Sequence, residues 1–150
     1  VVKPTDVFLF LGDIGESEFS DDESAQAELK KIMLKLNGVK ILVRGNNDNL
    51  SDEFYKACGF SHICDIIQTE KYIFSHKPVC VTGDVLNVHG HLHGNKRYWD
   101  IDSKNHIDVY WETNGRKPNR LSDYIRFFKE GKYAGCTTIL SEEYRLSDHV

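Results

Sequence analysis

Val39-Lys40-Ile41-Leu42-Val43-Arg44-Gly45-Asn46-Asn47-Asp48 decides how the rest of this chain is read. Its first half is of strand length, apolar but for Lys40 and rich in β-branched residues. Its second half is a glycine followed by three short polar side chains that favour turns. A strand that empties directly into such a loop aims polar groups from a rigid support. The same design occurs upstream, where Val7-Phe8-Leu9-Phe10-Leu11 ends in Gly12-Asp13. A continuous apolar run closed by a turn signal is expected to be a strand buried on both faces. Downstream the design returns twice: Lys71–Ser75 runs into His76-Lys77-Pro78, and Val85–His89 runs into Gly90-His91-Leu92-His93.

The intervening segments alternate in type. Ala25, Leu29, Ile32, Met33 and Leu36 recur at helical spacing. Ser20 with Glu23 has the pattern of a capping box, and Asn37-Gly38 is a helix stop. A short helix is expected over Ser51–Cys58, ending at Gly59. Ile63–Gln68 and Lys71–Ser75 read as two strands about a Thr69-Glu70 turn, Ile107–Trp111 as a further strand, and Leu121–Lys129 as a helix. Beyond Gly131 no pattern emerges. Strand, helix, strand, helix and then several strands imply an α/β fold with mixed sheets. Ligands in such folds collect beyond the carboxyl ends of strands, where all four polar blocks fall.

At 150 residues the chain is long enough for one domain with its own core. With 40% hydrophobic and 28% charged residues, its composition is that of an ordinary globular protein. A net charge of −4 argues against general affinity for nucleic-acid or membrane phosphates. The acidic residues between Glu16 and Glu23, leaving the same edge as Asp13, also disfavour a long polyanion. No apolar run reaches the ~18–20 residues of a membrane span. Cys58, Cys64, Cys80 and Cys136 lack C-x-x-C spacing, so a reduced, cytoplasmic setting is expected. The chain begins at Val1 with a core strand only a few residues later, and it is expected to be incomplete at its N-terminus.

Taken singly, the polar blocks are ambiguous. Asp13 could equally be a turn aspartate, Asn46 ordinary loop chemistry, and His76 a satisfied histidine at a strand end. His89-Gly90-His91-Leu92-His93 is harder to explain by packing, because three imidazoles flank a glycine where a strand leaves the sheet. In extended geometry His91 and His93 project to one side, as ligands of neighbouring metals would. Carboxylate, amide oxygen and imidazole are the donors that hold divalent first-row metals.

The order Gly-Asp, Gly-Asn-x-Asp, Ser-His-x-Pro and Gly-His-x-His resembles the calcineurin-like metallophosphoesterase superfamily, over about Lys3 to Ile125. Within it, the chain looks like the compact single-domain bacterial and phage-type phosphoesterases. That resemblance implies a layered α-β-β-α sandwich with mixed sheets and a metal site at the carboxyl ends of strands. It also implies two divalent metal ions, manganese first, with iron, zinc and nickel as alternatives. A metal-bridging hydroxide would attack phosphorus in line with the leaving oxygen. Carried over by position, Asp13 would bridge the ions, Asn46, His76 and His91 would complete one site, and His93 would bind the other. Asp48 would orient its neighbours by hydrogen bonds, and His89 lies outside the motif.

Two departures stand out. No Asp-x-His pair precedes Asp13, so two ligands of the His93 ion are missing from the sequence. Asn47 occupies the position of the family's catalytic histidine, and asparagine cannot deliver a proton near neutral pH. Arg44, Lys77, Lys96 and Arg97 are the candidate phosphate contacts, and Tyr98 and Trp99 could stack a base. The leading function is hydrolysis of a small phosphomonoester or phosphodiester, with a nucleotide as one candidate. The alternative is a catalytically impaired metal- or phosphate-binding protein acting through a partner. A metal-storage domain explains the histidines but not the Gly-Asn-Asn-Asp block.

Overall fold

Leu42 and Val43 are fully buried in the middle strand of a three-stranded parallel sheet. In this computed structural model, which describes residues 2–15, 21–93, 105–111 and 116–130, the sheet comprises β1 (Val7–Phe10), β2 (Val39–Val43) and β3 (Phe60–Cys64), in that order. Parallel neighbours need crossovers, supplied here by α1 (Glu23–Lys35) and α2 (Asp52–Ala57). Leu29 and Met33 of α1 pack with Leu42, Tyr55, Cys58 and Phe60, and Phe10, Ile14, Leu50, Phe54 and Ile63 close the margin.

Several expectations are corrected. β1 is not buried on both faces: Val7 is exposed and Phe8–Phe10 are half-buried. Among the described residues β1 has a neighbour on one side only, so part of it stays open. The apolar stripe of α1 is narrower than its periodicity suggests, since Ile32 and Leu36 are exposed. Asp22 caps α1, its carboxylate accepting the Ala25 N–H at 3.0 Å, while Ser20 lies outside the described residues. A carboxylate there satisfies an open amide and suits the helix dipole. Ser51 caps α2 in the same way, accepting from the Phe54 amide.

The run Ile63–Gln68 is two strands, not one. Pairing with β2 ends at Val43 and Cys64, the chain turns at Asp65, and β4 (Ile66–Gln68) enters a different sheet. β3 also begins earlier than expected, because buried Phe60 anchors it while polar Ser61 and His62 mask the pattern.

The second sheet has the order β4-β5-β6-β7, with β5 (Tyr72–Ser75), β6 (Leu86–His89) and β7 (His106–Asp108). β4 and β5 are joined by a tight turn in which the Thr69 amide donates to the Tyr72 carbonyl at 2.8 Å, so they run antiparallel. β6 and β7 are parallel, in the register Asn87–His106, Val88–Ile107 and His89–Asp108. The sheet is therefore mixed. β7 is shorter than the expected Ile107–Trp111, because the Asp108 carboxylate accepts the Tyr110 amide at 2.9 Å and turns the chain out of the ladder. α3 (Leu121–Lys129) matches its expected range.

The chain divides into two compact units, Val1–Gln68 with Phe74–His76, and Thr69–Ile73 with Lys77–Val150. The class is mixed α/β with one parallel and one mixed sheet. Among the described residues no helix is long and apolar enough to cross a membrane.

Candidate metal centre

In the first unit, two loops leave the ends of β1 and β2 and are tied together by one carboxylate. Asp48, 4% exposed, accepts the backbone N–H of Asp13 and of Gly45 on Oδ2, each at 2.7 Å. Its Oδ1 accepts the Ile14 amide at 3.1 Å. Asp13 returns the tie, its Oδ1 accepting the Asn47 amide at 3.0 Å. Charge-assisted bonds of this kind are about twice as strong as neutral ones, and they hold both loops in one conformation. The loops also touch: a Cβ on Gly12 would lie 2.6 Å from the Gly45 Cα, and one on Gly45 would fall on the Asp13 carboxylate. Only glycine allows both approaches, and Gly12 in addition has φ +86°. Asp13 itself sits at φ 54°, a left-handed conformation seldom taken by residues other than glycine.

His76, buried at the end of β5, completes the cluster. Its Nδ1 lies 2.8 Å from the Leu11 carbonyl oxygen. A carbonyl only accepts, so this nitrogen carries a proton, and in the neutral tautomer that this selects the lone pair lies on Nε2. Nε2 faces Asp13 Oδ2 at 3.2 Å and Asn46 Oδ1 at 3.1 Å. The Asn46 amide is oriented consistently, with Nδ2 donating to Asn47 Oδ1 at 3.1 Å. A carboxylate oxygen, an amide oxygen and an imidazole nitrogen thus converge. A divalent cation fits that donor set.

In the second unit, the loop after β6 is not extended as expected. His91 and His93 have φ of 68° and 48°, so the premise that both project to one side of a strand fails. Leu92 between them is buried, and its N–H bonds the Gly90 carbonyl at 2.9 Å, pinning the loop while His91 stays half-buried and His93 exposed. His93 Nδ1 meets the Tyr110 hydroxyl at 2.8 Å. His89 is buried, with Nδ1 bonded to the Gly90 carbonyl at 3.0 Å and its ring against His106.

Among the candidate cations, Arg44 is engaged within its own loop. Its guanidinium donates to the carbonyls of Asp48 at 2.7 Å and Leu50 at 3.0 Å, pairs with Asp52 and lies over the Tyr55 ring. Burial pushes the Tyr55 phenol up to about 12, with the nearby Asp48 charge adding to the effect, so this ring stays neutral. Lys77 is exposed. Lys96, Arg97, Tyr98 and Trp99 lie outside the described residues. Sequence reading missed Tyr110, which sits 17 positions from His93 with no local signal, and the Leu11 carbonyl, which has no side-chain signature.

A model of the calcineurin-like phosphoesterase family matches residues 1–140, and the chain belongs to that family. That family is one of phosphoesterases. No curated protein matches the chain. Among solved structures, a protein of unknown function from Aquifex aeolicus is 27% identical, covering 85% of this chain and 78% of its own, with a TM-score of 0.56. The nuclease MPE of Pseudomonas putida is 19% identical over 58% of this chain, with a TM-score of 0.47. This chain spans 44% of that nuclease's length.

Proposed function

We propose that this protein hydrolyses a small phosphomonoester or phosphodiester, with nucleotides among the candidates, using two divalent ions of which manganese is the first choice. The observation that carries the reading is the convergence of Asp13 Oδ2, at 3.2 Å, and Asn46 Oδ1, at 3.1 Å, on His76 Nε2, beyond the ends of three strands. Asp13, Asn46 and His76 hold the first ion. His91 and His93 are assigned as further ligands by the family motif. Bound divalent ions would supply Lewis acidity toward the phosphoryl oxygens.

The chain's own residues do the rest. Asp48 fixes the loops that present Asp13 and Asn46, so the donor atoms need not reorganise when charge develops. The Leu11 carbonyl fixes the His76 tautomer. Arg44 braces the Gly45–Asp48 turn from behind, and exposed Lys77 remains a candidate for phosphate. Free thiols at Cys58, Cys64 and Cys80 suit a reducing, cytoplasmic setting.

A second reading, an impaired binding protein, is favoured by Asn47. Its amide N–H is tied to Asp13 and its side-chain oxygen to Asn46, so it holds the loop and offers no acidic proton. A panel of phosphomonoesters, phosphodiesters and nucleotides, assayed with manganese and with chelator, separates the two. The hydrolase reading expects metal-dependent turnover that Asp13→Asn abolishes. Tight manganese binding with no turnover on any ester would favour the second reading.

A further inference from the structure

His93 is exposed and left-handed, in the segment that leaves β6. An imidazole so placed has free rotamers, and binding a cation through it would require freezing them. Tyr110 supplies the restraint. Its hydroxyl meets His93 Nδ1 at 2.8 Å, and the two rings lie 4.3 Å apart with 33° between their planes. Tyr110 is itself anchored: its amide donates to Asp108 Oδ1 at 2.9 Å, and Asp108 is buried on β7 in register with His89. The Val109 amide continues the pairing to the His89 carbonyl at 2.8 Å. Phenol and imidazole therefore leave the carboxyl ends of two adjacent parallel strands and meet beyond them.

We infer that Tyr110 is a positioning residue for metal binding by His93, its hydroxyl accepting the Nδ1 proton so that the Nε2 lone pair is presented to a cation. The inference rests on the reading of His93 as a ligand. Two other imidazoles show the same orientation, since His76 Nδ1 faces the Leu11 carbonyl and His89 Nδ1 faces the Gly90 carbonyl. Ligating histidines usually donate their second nitrogen to such an acceptor, which sets the tautomer and raises the basicity of the ligand nitrogen. At His93 the acceptor is a side chain, and it can be removed by substitution.

Tyr110→Phe deletes the hydroxyl and keeps the ring, and it is compared with Tyr110→Ala and His93→Ala. Two readouts are taken: 15N shifts of the His93 ring in metal-free protein at a pH where histidines are neutral, and zinc titration by calorimetry. The wild type should show a single Nδ1–H tautomer. Tyr110→Phe should show a tautomer mixture and bind the zinc ion lost in His93→Ala ~10–100-fold more weakly. Tyr110→Phe with wild-type shifts and affinity, alongside a Tyr110→Ala that loses both, would overturn the hydroxyl's role in favour of ring stacking. Loss of zinc in His93→Ala but not in either Tyr110 variant would overturn the inference and leave His93 a ligand. Wild-type zinc binding in His93→Ala would overturn the ligand reading and the inference with it.

Discussion

The two motif-bearing loop systems are built to different standards. In the first unit, the buried Asp48 carboxylate gathers three backbone amides from two loops, and glycines at 12 and 45 let those loops touch. In the second unit, the described supports of the His91–His93 loop include buried Leu92, whose N–H bonds the Gly90 carbonyl, and a phenol–imidazole bond at an exposed position. The first arrangement couples donor geometry to the stability of the unit. The second leaves an imidazole whose orientation can be altered without disturbing the fold. Substitutions in the first should therefore damage folding and binding together, and those in the second should separate the two.

The largest effect is expected at Asp48. Asp48→Ala leaves three amides without their acceptor, at about 1–3 kcal/mol each when water cannot fully replace it. Urea unfolding should register a loss of at least about 3 kcal/mol, with metal binding lost as well. Tyr110→Phe, removing one exposed hydroxyl, should cost less than about 1 kcal/mol in the same assay. Equal losses would erase the distinction between the two regions.

Next is Asn47→His. Where turnover is measurable, an imidazole there could protonate the departing oxygen, work typically worth ~10²–10⁴-fold. The gain should be largest for alkyl esters and small for activated aryl esters, whose leaving oxygen needs no proton. An equal gain on both classes would assign the position to phosphate binding, and no gain on either would remove it from the reacting centre.

Much of this was legible in the sequence, for identifiable reasons. β2 could be read because its run is apolar but for Lys40 and its end is marked by Gly45, and α2 because Ser51 and Gly59 mark its boundaries. The polar blocks were found because strand ends carry them. What escaped were features set by pairing between distant residues. β1 reads as a strand buried on both faces, yet its burial depends on which elements flank it. The left-handed turns at His91 and His93 carry no glycine to signal them. The partnership of His93 with Tyr110 exists only because β6 and β7 lie side by side.

A more modest contrast involves His89, which is buried but outside the motif. His89→Ala should lower stability while leaving metal stoichiometry intact, whereas His76→Ala should remove most metal from the first site. Metal analysis after dialysis distinguishes them, and equal metal loss in both would contradict the assignment.

The smallest effect concerns Tyr55 beneath Arg44. Its folded pKa of about 12 exceeds the ordinary 10.0, so above that ordinary value the unfolded chain has released a proton that the folded chain retains. Stability should fall as pH rises through this window and be fully present below it. Burial also raises the thiols of Cys58 and Cys64, which act in the same direction from lower pH. Tyr55→Phe should flatten the alkaline part of the urea-midpoint profile. An unchanged slope would mean that the phenol ionises as easily folded as unfolded.

The central claim, that Asp13, Asn46 and His76 converge to hold a cation, is tested most directly by anomalous diffraction from crystals soaked in manganese. The account predicts a strong peak about 2.0–2.3 Å from Asp13 Oδ2, Asn46 Oδ1 and His76 Nε2, absent in His76→Ala crystals. Manganese bound elsewhere, with these three atoms still facing one another across empty density, would contradict it.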